Sequence, residues 1–414
     1  MRVLIVAEEF EPQVGGIGTY THGLASGLSS LGDDVTVMAP QMQGDARFDA
    51  QVPYSVVRHQ ATMRLKSVRL RRWFRLVMML VSGLYRVVAG CKRFGRILRR
   101  ISILRPDVCV LNGLSAGFTS CYLACVATRR PMVVFTYGRE LRVDSGSRNG
   151  ARLRRKLRAA DGIVGCSEYA RRLVQDVAQR PLQTCCVYPG IAGDGALSSA
   201  TNTSRAVECV PHKSVEPVLV SICRHVKRKG LDMALLAFRE VLRSVPEARY
   251  VIAGTGPDTP RLRRLATRLN LESSVCFRGE VSDVEKHRLL DWASCFVMPN
   301  RDLPDGDVEG FGIVFLEAGL HRVPSIAGSS GGAPEAVVDG ETGFVVDPNS
   351  RRAIASAMMQ LLCDRDLRER MGNKGRDRAM TQFTWGNQAR VLGQFLMDVV
   401  RKGHGQRVDS GCER

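Results

Sequence analysis

The sequence has 414 residues, which suits two domains or one large one, and its hydrophobic and charged fractions are ordinary for a globular protein. The charge is unusual: a formal net charge of +19 and a sequence pI near 9.8 imply an anionic partner, for which nucleic acid, anionic lipid and a phosphorylated substrate all qualify. The thirteen cysteines show neither paired CxxC spacing nor a zinc pattern with histidine, so we expect buried reduced thiols in a cytosolic protein.

The chain opens with a predicted strand, glycine loop, helix and second strand. The apolar run Val3–Ala7 indicates a buried parallel strand, and because it starts directly after Met1-Arg2 we expect no signal peptide. It leads to Gly15-Gly16-Ile17-Gly18, a helical stretch that includes His22, and a strand from Val35 to Met38. This order is typical of a phosphate or nucleotide site at a helix N-terminus. The Gly-Gly-x-Gly spacing, with no acid after the second strand, argues against a nicotinamide cofactor.

Residues 61–105 form a strongly basic segment with thirteen Lys or Arg and no acid. Its least polar part, Leu76 to Cys91, contains Arg86 and falls short of the ~20 apolar residues that span a bilayer, which excludes a transmembrane helix. We expect a basic amphipathic helix, or a helix pair broken near Gly90, on an anionic membrane surface; a core-packed helix with a solvated basic face is the alternative. The aromatic residues expected toward the acyl boundary are Trp73, Phe74 and Tyr85. Nucleic acid is disfavoured, because no stacking motif or helix-turn-helix accompanies the charge.

Strands and helices continue to alternate through both halves of the chain. Asp107–Leu111 and Met132–Thr136 are predicted strands, and the second leads into the polar cluster Tyr137-Gly138-Arg139-Glu140. Such a cluster at the carboxyl edge of a parallel strand is where open α/β sheets bind ligands. Ala192–Glu216 lacks periodicity and is predicted to be a linker, after which Pro217–Cys223 starts a second series of strands. The sequence therefore predicts an α/β protein with two Rossmann-like domains facing across a cleft.

The stretch Glu309–Glu317 reads EGFGIVFLE, with two carboxylates around a Gly-Phe-Gly turn and an apolar run. The turn is expected to begin a helix, whose N-terminus leaves backbone N–H groups unpaired and carries a partial positive charge. That terminus can bind a polar or anionic ligand, with Glu309 just before the turn and Glu317 about two turns into the helix. Taken alone, the spacing favours two solvated acids that flank a core helix.

Several short motifs occur together in a recognisable order. They are Gly15-Gly16, a strand–Arg–x4–Lys-Gly element (Arg224, Lys229, Gly230), the turn Gly254–Pro257, the run Glu309–Glu317, and the segments Ser330–Glu335 and Asp339–Val346. Each is weak alone, but at these separations they are specific and cover nearly the whole chain. The sequence resembles the retaining GT-B glycosyltransferases of the large family 4 type, also described as glycosyl transferases group 1.

The resemblance implies a domain organisation and an activity. It implies an N-terminal acceptor domain over 1–191, a linker over 192–216, a nucleotide-sugar-binding domain over 217–384, and a helix over 385–402 that crosses back to the first domain. The implied enzyme is a hexosyltransferase that moves a sugar from a nucleotide-diphospho-sugar donor to a hydroxyl acceptor, with no metal and no other cofactor. The basic segment adds an acceptor that is lipid-linked or at a membrane surface, in polysaccharide or glycolipid biosynthesis. The expected location is cytoplasmic and peripheral, on the inner face of the membrane.

The resemblance also assigns the residues that contact the donor diphosphate. Arg224 and Lys229 are expected to clamp it, because a guanidinium binds it bidentately, an ammonium supplies a point charge, and both stabilise the negative charge that grows on the leaving nucleotide. Gly16 lets the backbone of the first domain approach the same phosphate. The alternative for the two cations is a solvated basic turn among Lys227 and Arg228.

The remaining roles concern the sugar and the ribose. Glu309 and the backbone N–H groups of Gly310 and Phe311 are expected to hold the sugar hydroxyls, and Glu317 to accept hydrogen bonds from the ribose hydroxyls. The expected catalytic residues are Glu309 and the two cations of the clamp. Glu335 is expected to cap or orient backbone and is left out of that set.

One departure from the family pattern concerns the first domain. Many relatives carry His-Gly-x-Glu, or a nearby His, where this chain has Tyr137-Gly138-Arg139-Glu140. That His contacts the sugar or the acceptor side, so Tyr137 is a candidate replacement as a hydrogen-bond partner.

A nucleotide-sugar epimerase and a catalytically inactive, membrane-associated relative are the alternative functions. The acidic run Asp302, Asp305 and Asp307 is interpreted as part of a loop and not as a metal site.

Overall fold

The structure is a computed structural model that describes residues 1–12, 15–60, 72–114, 117–144, 146–192 and 217–409, and the side chains of all of these except 72–87 and 403–409. The chain divides into two compact units. The first unit comprises Met1–Gly165, Arg171–Val187 and Gln388–Arg414, and the second comprises Cys166–Ala170 and Tyr188–Asn387. The predicted linker lies outside the described residues, except for Ala192.

The first unit is built on a seven-stranded parallel sheet. Its strands are β1 (Arg2–Ala7), β2 (Asp34–Pro40), β3 (Ser55–His59), β4 (Val108–Asn112), β5 (Met132–Thr136), β6 (Gly162–Gly165) and β7 (Thr184–Cys186). Its helices are α1 (Gly16–Ser30), α2 (Asp45–Asp49), α3 (Arg72–Leu104), α4 (Phe118–Thr128), α5 (Arg148–Ala159) and α6 (Glu168–Ala178), of which α6 begins with residues assigned to the second unit. The strand order is β3-β2-β1-β4-β5-β6-β7, so the winding reverses between β1 and β4.

The strands predicted in this half are present because they are apolar runs buried on both faces of the sheet. Val3 of β1 pairs with Val35 of β2 and Val108 of β4, all in parallel register. The core on one side of the sheet combines Leu4 and Leu111 with residues of α3 and α4. Five of the described cysteines are buried, namely Cys109, Cys121, Cys125, Cys166 and Cys295, whereas Cys91 and Cys363 are exposed, contrary to the expectation of buried thiols.

The basic segment contains one continuous helix, which is the first of the two expected arrangements, and that helix is not broken near Gly90. Where the side chains of α3 are described, Ile97 and Ile101 are fully buried and pack with the sheet and α4. This end of the helix is core-packed, which was the alternative to a membrane-bound helix. Residues 61–71 and the side chains of the three aromatic residues lie outside the described part. Within the described residues, none of the helices is both long enough and apolar enough to cross a membrane.

The second unit is built on a six-stranded parallel sheet. Its strands are β8 (Val218–Ile222), β9 (Arg249–Ala253), β10 (Val275–Gly279), β11 (Cys295–Met298), β12 (Ser325–Gly328) and β13 (Gly343–Val346). Its helices are α7 (Leu231–Val241), α8 (Thr259–Arg268), α9 (Asp283–Trp292), α10 (Ile313–Leu320), α11 (Ala333–Ala336), α12 (Arg351–Cys363) and α13 (Arg365–Gln382). The last helix, α14 (Trp385–Asp409), starts where predicted and is assigned to the first unit from Gln388 onward. The strand order is β10-β9-β8-β11-β12-β13, so this winding reverses beside β8.

Candidate active site

The candidate site lies at the carboxyl edge of the second sheet, where β8 separates β9 from β11. Open α/β sheets bind ligands at such a reversal point. The segment that leaves β8 carries Arg224 and Lys229, and the segment that leaves β11 leads to Glu309. The sheet order therefore brings two motifs that are distant in the sequence to the same edge.

Gly230 allows these two segments to pack closely. It has a φ of 70°, a conformation that favours glycine, and a Cβ at this position would collide with the carbonyl oxygen of Pro299. The close approach places Nζ of Lys229 2.5 Å from Oε2 of Glu309, with both side chains only 10% exposed. The structure thus joins two of the three predicted catalytic residues in a buried ion pair.

One further hydrogen-bond donor and one further cation lie beside Glu309, and the sequence reasoning missed both. Nδ2 of Asn300 donates to Oε2 of Glu309 over 3.1 Å, and Nε of Arg228 lies 3.7 Å from the same oxygen. Asn300 follows β11 at the carboxyl edge of the sheet, a position that could have marked it. Arg228 was named only in the alternative of a solvated basic turn, but its side chain also forms an ion pair with Asp307 over 3.2 Å.

These contacts decide the protonation of Glu309. Burial by itself raises the pKa of this carboxyl, but the charges of Lys229 and Arg228 and the hydrogen bonds from Lys229 and Asn300 outweigh burial and hold the pKa below its usual value. Glu309 is therefore ionised at neutral pH. An ionised carboxylate accepts hydrogen bonds only, which suits a contact with ligand hydroxyls.

A glycine pair from another loop supports the backbone of Glu309. A Cβ at Gly331, whose φ is 56°, would collide with the carbonyl oxygen of Glu309, and the N–H of Gly332 donates to that carbonyl over 3.0 Å. This contact explains the glycines of the segment Ser330–Glu335 as packing partners of the candidate site.

The backbone just before α10 has two adjacent N–H groups that donate no hydrogen bond to the described residues. The ring of Phe311 is buried and lies 5.3 Å from the ring of Tyr188 and 5.7 Å from that of Phe383, centroid to centroid. These contacts fix the turn. The two N–H groups belong to Gly310 and Phe311, and neither has an acceptor among the described residues. Two adjacent N–H groups near a helix N-terminus are suited to oxygen atoms of a ligand.

Glu317 lies in a separate cluster on α10 and α9. Its Oε1 accepts a hydrogen bond from Nζ of Lys286 over 2.7 Å, and Lys286 also pairs with Asp283 over 3.0 Å. Burial lowers the pKa of Lys286, but the two carboxylates outweigh burial and raise the pKa overall. Lys286 is a charged partner of Glu317 that sequence reasoning missed.

Arg224 and Gly16 are not part of the Glu309 cluster in the structure. The side chain of Arg224 is exposed and forms no hydrogen bond or ion pair with the residues that the structure describes. Gly16 belongs to the first unit, where it is the exposed first residue of α1. The structure therefore gives the local positions of these two residues without joining them to the lysine–glutamate pair.

The acidic run is anchored by protein groups. Asp302 accepts a hydrogen bond from Oγ of Ser330 over 2.5 Å, and Asp307 is the ion-pair partner of Arg228. No group of three or more His, Cys, Asp or Glu side chains within the described ranges is arranged to hold a metal ion.

The polar cluster of the first unit forms a hydrogen-bond chain. The hydroxyl of Tyr137 donates to Oδ1 of Asn112, whose Nδ2 donates to Oγ1 of Thr21. Glu140 accepts from the backbone N–H of Tyr137 over 2.6 Å, and burial raises the pKa of this carboxyl. Tyr137 is thus a hydrogen-bonding residue at the carboxyl edge of the first sheet.

Glu335, which was left out of the catalytic set, and His22 of the first helix both contact other protein groups. The carboxylate of Glu335 accepts hydrogen bonds from the N–H groups of Glu168 and Tyr169, each over 2.7 Å, so it caps backbone as predicted. His22 lies on α1, and its Nδ1 is 2.7 Å from the hydroxyl of Tyr54.

Sequence comparison decides the family. The profile of the Glycosyl transferases group 1 matches residues 207–378, and that of Glycosyltransferase Family 4 matches residues 14–192. The chain is 32% identical over 407 residues to the GDP-mannose-dependent alpha-(1-6)-phosphatidylinositol monomannoside mannosyltransferase of Mycobacterium tuberculosis, an alignment that covers 95% of this chain and 98% of that protein. The chain belongs to the group 1 glycosyltransferases. This glycosyltransferase is also 28% identical over 408 residues to the GDP-mannose-dependent monoacylated alpha-(1-6)-phosphatidylinositol monomannoside mannosyltransferase of Corynebacterium glutamicum, an alignment that covers 97% of this chain and 98% of that protein.

Solved structures show the same fold. This glycosyltransferase superposes on a glycosyltransferase from Rickettsia africae with a TM-score of 0.73, at 16% identity, over 96% of this chain and 98% of the other. Anabaena HepE in complex with UDP and glucose matches with a TM-score of 0.69, at 17% identity, over 96% and 100% of the two chains. The enzyme therefore has the GT-B fold, with two parallel-sheet α/β domains.

Proposed function

We propose that this glycosyltransferase transfers a hexosyl group, with retention of anomeric configuration, from a nucleotide-diphospho-sugar to a hydroxyl group of a lipid-linked acceptor. The observation that carries the proposal is the buried pair of Lys229 and Glu309 next to the N–H groups of Gly310 and Phe311, which donate no hydrogen bond to the described residues. The second unit would bind the donor and the first unit the acceptor. GDP-mannose is the proposed donor, because GDP-mannose-dependent enzymes are the relatives that align over nearly the full chain.

The cations would act on the diphosphate. Nζ of Lys229 has three N–H groups, of which Glu309 takes one, so two remain for phosphate oxygens. The exposed guanidinium of Arg224 can bind a second phosphate bidentately. Bond cleavage between sugar and diphosphate places negative charge on the leaving nucleotide, and these two cations would stabilise that charge in the transition state. Gly16 would allow the backbone of the first unit to approach the same phosphate.

The carboxylate of Glu309 would orient the sugar. It is ionised and already accepts hydrogen bonds from Lys229 and Asn300, which suits it to hold sugar hydroxyls together with the N–H groups of Gly310 and Phe311. The transition state would resemble an oxocarbenium ion that is favoured by the charge stabilisation at the diphosphate. In this route no covalent glycosyl-enzyme is required.

Glu317 would contact the other end of the donor. Its carboxylate, held by Lys286, would accept hydrogen bonds from the ribose hydroxyls. The ribose is common to the intact donor and to the free nucleoside diphosphate, whereas the sugar belongs to the donor alone. The two glutamates are therefore distinguishable by their ligands.

The direct test is transfer of radiolabelled mannose from GDP-mannose to phosphatidylinositol monomannoside in mixed micelles. Lys229→Ala and Glu309→Gln are expected to abolish transfer, while Lys227→Ala, an exposed cation in the same turn, is expected to retain it. Near-wild-type transfer by the first two variants would contradict the assignment. Release of an altered free sugar nucleotide without any acceptor would instead support an epimerase.

A peripheral association with the cytoplasmic face of an anionic membrane is part of the proposal. Its support is the net charge of +19, with thirteen cations in residues 61–105, together with exposed apolar side chains on α3 and α4. The exposed apolar residues are Val88, Ile103, Leu123 and Val126. Basic residues next to exposed apolar groups favour binding to anionic lipid.

Liposome flotation tests the membrane part separately. Reversal of three charges, Arg71, Arg72 and Arg75 to Glu, is expected to reduce flotation with anionic vesicles. The control reverses three exposed arginines of the second unit, Arg264, Arg352 and Arg370, and so changes the net charge equally. Equal flotation of the two variants would remove the proposed surface.

A further inference from the structure

We propose that Asn300 is a positioning residue for Glu309, which holds the carboxylate in the orientation that meets the donor sugar. The inference rests on the proposed function, in which Glu309 binds the sugar hydroxyls. Asn300 is fully buried, and its Nδ2 donates to Oε2 of Glu309 over 3.1 Å. Because an ionised carboxylate only accepts, the amide must present its nitrogen to Glu309.

The hydrogen bonds on Glu309 are distributed unevenly between its two oxygens. Lys229 and Asn300 both donate to Oε2, and Arg228 is also closest to Oε2. Among the described residues, Oε1 has no donor. Two donors from different segments therefore fix the plane of the carboxylate and leave one oxygen for ligand hydroxyls.

The backbone of Asn300 is held firmly enough to orient another side chain. Its N–H donates to the carbonyl oxygen of Met298 over 2.8 Å, and its carbonyl packs directly against Gly328 at the end of β12. The preceding carbonyl, of Pro299, packs against Gly230. Asn300 is thus anchored between the segment that carries Lys229 and the neighbouring strand, which is the arrangement that a precise hydrogen bond requires.

The other end of the amide has no stabilising role. Oδ1 of Asn300 is buried and finds no hydrogen-bond partner among the residues that the structure describes. A buried acceptor without a partner destabilises the fold, whereas an apolar side chain of the same shape has no such cost. The presence of an amide here is therefore explained by the bond from Nδ2 to Glu309 and not by stability.

Two substitutions separate positioning from packing. Asn300→Leu keeps the number and branching of the side-chain heavy atoms and removes the bond to Glu309. Asn300→Asp places a second carboxylate beside Glu309. The matched control is Ser221→Ala, which removes a fully buried hydroxyl that bonds to Tyr250 and to the carbonyl of Val297 in the same unit but not to Glu309.

Calorimetry gives a readout that does not depend on the acceptor. The wild-type enzyme is first titrated with GDP-mannose and UDP-glucose, and the tighter donor is then used along with its free nucleoside diphosphate. For Asn300→Leu we expect donor affinity to fall about tenfold, the scale of one hydrogen bond to a charged group, while nucleoside diphosphate affinity changes less than about twofold. Donor affinity is expected to fall at acid pH as Glu309 becomes protonated, and we call this part of the pH profile the acid limb. Because loss of the bond from Asn300 raises the pKa of Glu309, the acid limb should move to higher pH in Asn300→Leu and further in Asn300→Asp. Ser221→Ala should lower the unfolding temperature without moving either affinity or the limb.

Each outcome has a distinct meaning. Wild-type donor affinity and an unmoved acid limb in Asn300→Leu would overturn the positioning role, as would equal losses for donor and nucleoside diphosphate. If Asn300→Leu does not fold, the same comparison on Asn300→Asp decides the question. The Glu309→Gln variant separates the two proposals. If Glu309→Gln binds the donor as tightly as the wild type does, the proposed function of Glu309 fails. If Glu309→Gln loses donor affinity while the Asn300 variants do not, only the role of Asn300 fails.

Discussion

Replacing Lys229 by alanine removes the cation that faces the buried carboxylate of Glu309. The pair is joined over 2.5 Å, and each side chain is 10% exposed. Removal of one partner of a buried ion pair costs about 3–5 kcal/mol, because the remaining charge is left without compensation. Arg228 and Asn300 still contact the carboxylate, so we expect the lower end, about 3 kcal/mol. For a unit of this size that corresponds to an unfolding temperature about 6–12 °C lower.

The pH dependence of this loss follows from the pKa of Glu309. In the wild type this pKa is held below its usual value, so Glu309 contributes stability above the unfolded-state pKa that is lost as pH falls through the folded-state pKa. Without Lys229 the folded-state pKa rises, and protonation relieves the unpaired charge. The stability deficit of Lys229→Ala should therefore be largest at neutral pH and shrink as pH falls toward the usual glutamate range.

Urea unfolding of Lys229→Ala at a series of pH values measures both effects. Lys227→Ala removes an exposed cation from the same turn and is expected to change the unfolding free energy by less than about 0.5 kcal/mol. In a Glu309→Gln background, the effect of Lys229→Ala should become much smaller, since no charge is left unpaired. Equal unfolding free energies for the two lysine variants at neutral pH, or a deficit that persists in the Glu309→Gln background, would refute the reasoning.

Three further predictions concern the surroundings of the pair. Gly331→Ala should destabilise the fold more than Gly340→Ala and weaken donor binding. Both positions have a positive φ, at which an alanine is strained by about 1–3 kcal/mol, but only the Cβ at residue 331 would also collide with the carbonyl of Glu309, whereas Gly340 lies in open space. Thermal unfolding and calorimetry compare the two variants. Glu335→Gln should lower the unfolding free energy by about 1 kcal/mol, since it weakens a carboxylate cap on two backbone N–H groups, and urea titration measures the change. Glu317→Gln should weaken GDP and GDP-mannose binding alike in calorimetry, and an effect on GDP-mannose only would contradict a ribose contact.

Most strands were predictable because parallel strands buried on both faces are continuous apolar runs. The predicted strand Met132–Thr136 has the same bounds in the structure, and the predicted strand Asp107–Leu111 differs by one residue at each end. The strand Ser55–His59 was missed, since it lies at the edge of the first sheet, is only half-buried and carries polar residues. Gly343–Val346 was noticed as a motif but not as a strand, and it is the edge strand of the second sheet.

The basic helix shows a limit of periodicity. Helical spacing of apolar residues predicted α3, but the same pattern suits a helix that packs on a core and one that lies on a membrane. The described part of α3 packs through Ile97 and Ile101 against the sheet and α4. Only the neighbours that the fold supplies distinguish the two environments, and spacing along one segment contains no information about those neighbours.

The sequence by itself determined that Lys229 and Glu309 belong to loops at the carboxyl ends of parallel strands, because motif spacing and apolar runs place both segments there. The tertiary structure alone decided that Asn300 and Arg228 join them around one carboxylate oxygen while Glu317 pairs elsewhere. The physical reason is the pairing of β8 with β11, which brings together residues 80 positions apart in the chain. A side chain donates a hydrogen bond only to an acceptor within about 3 Å. Which acceptors come that close depends on the order of the strands in the sheet and not on the separation of the residues in the sequence.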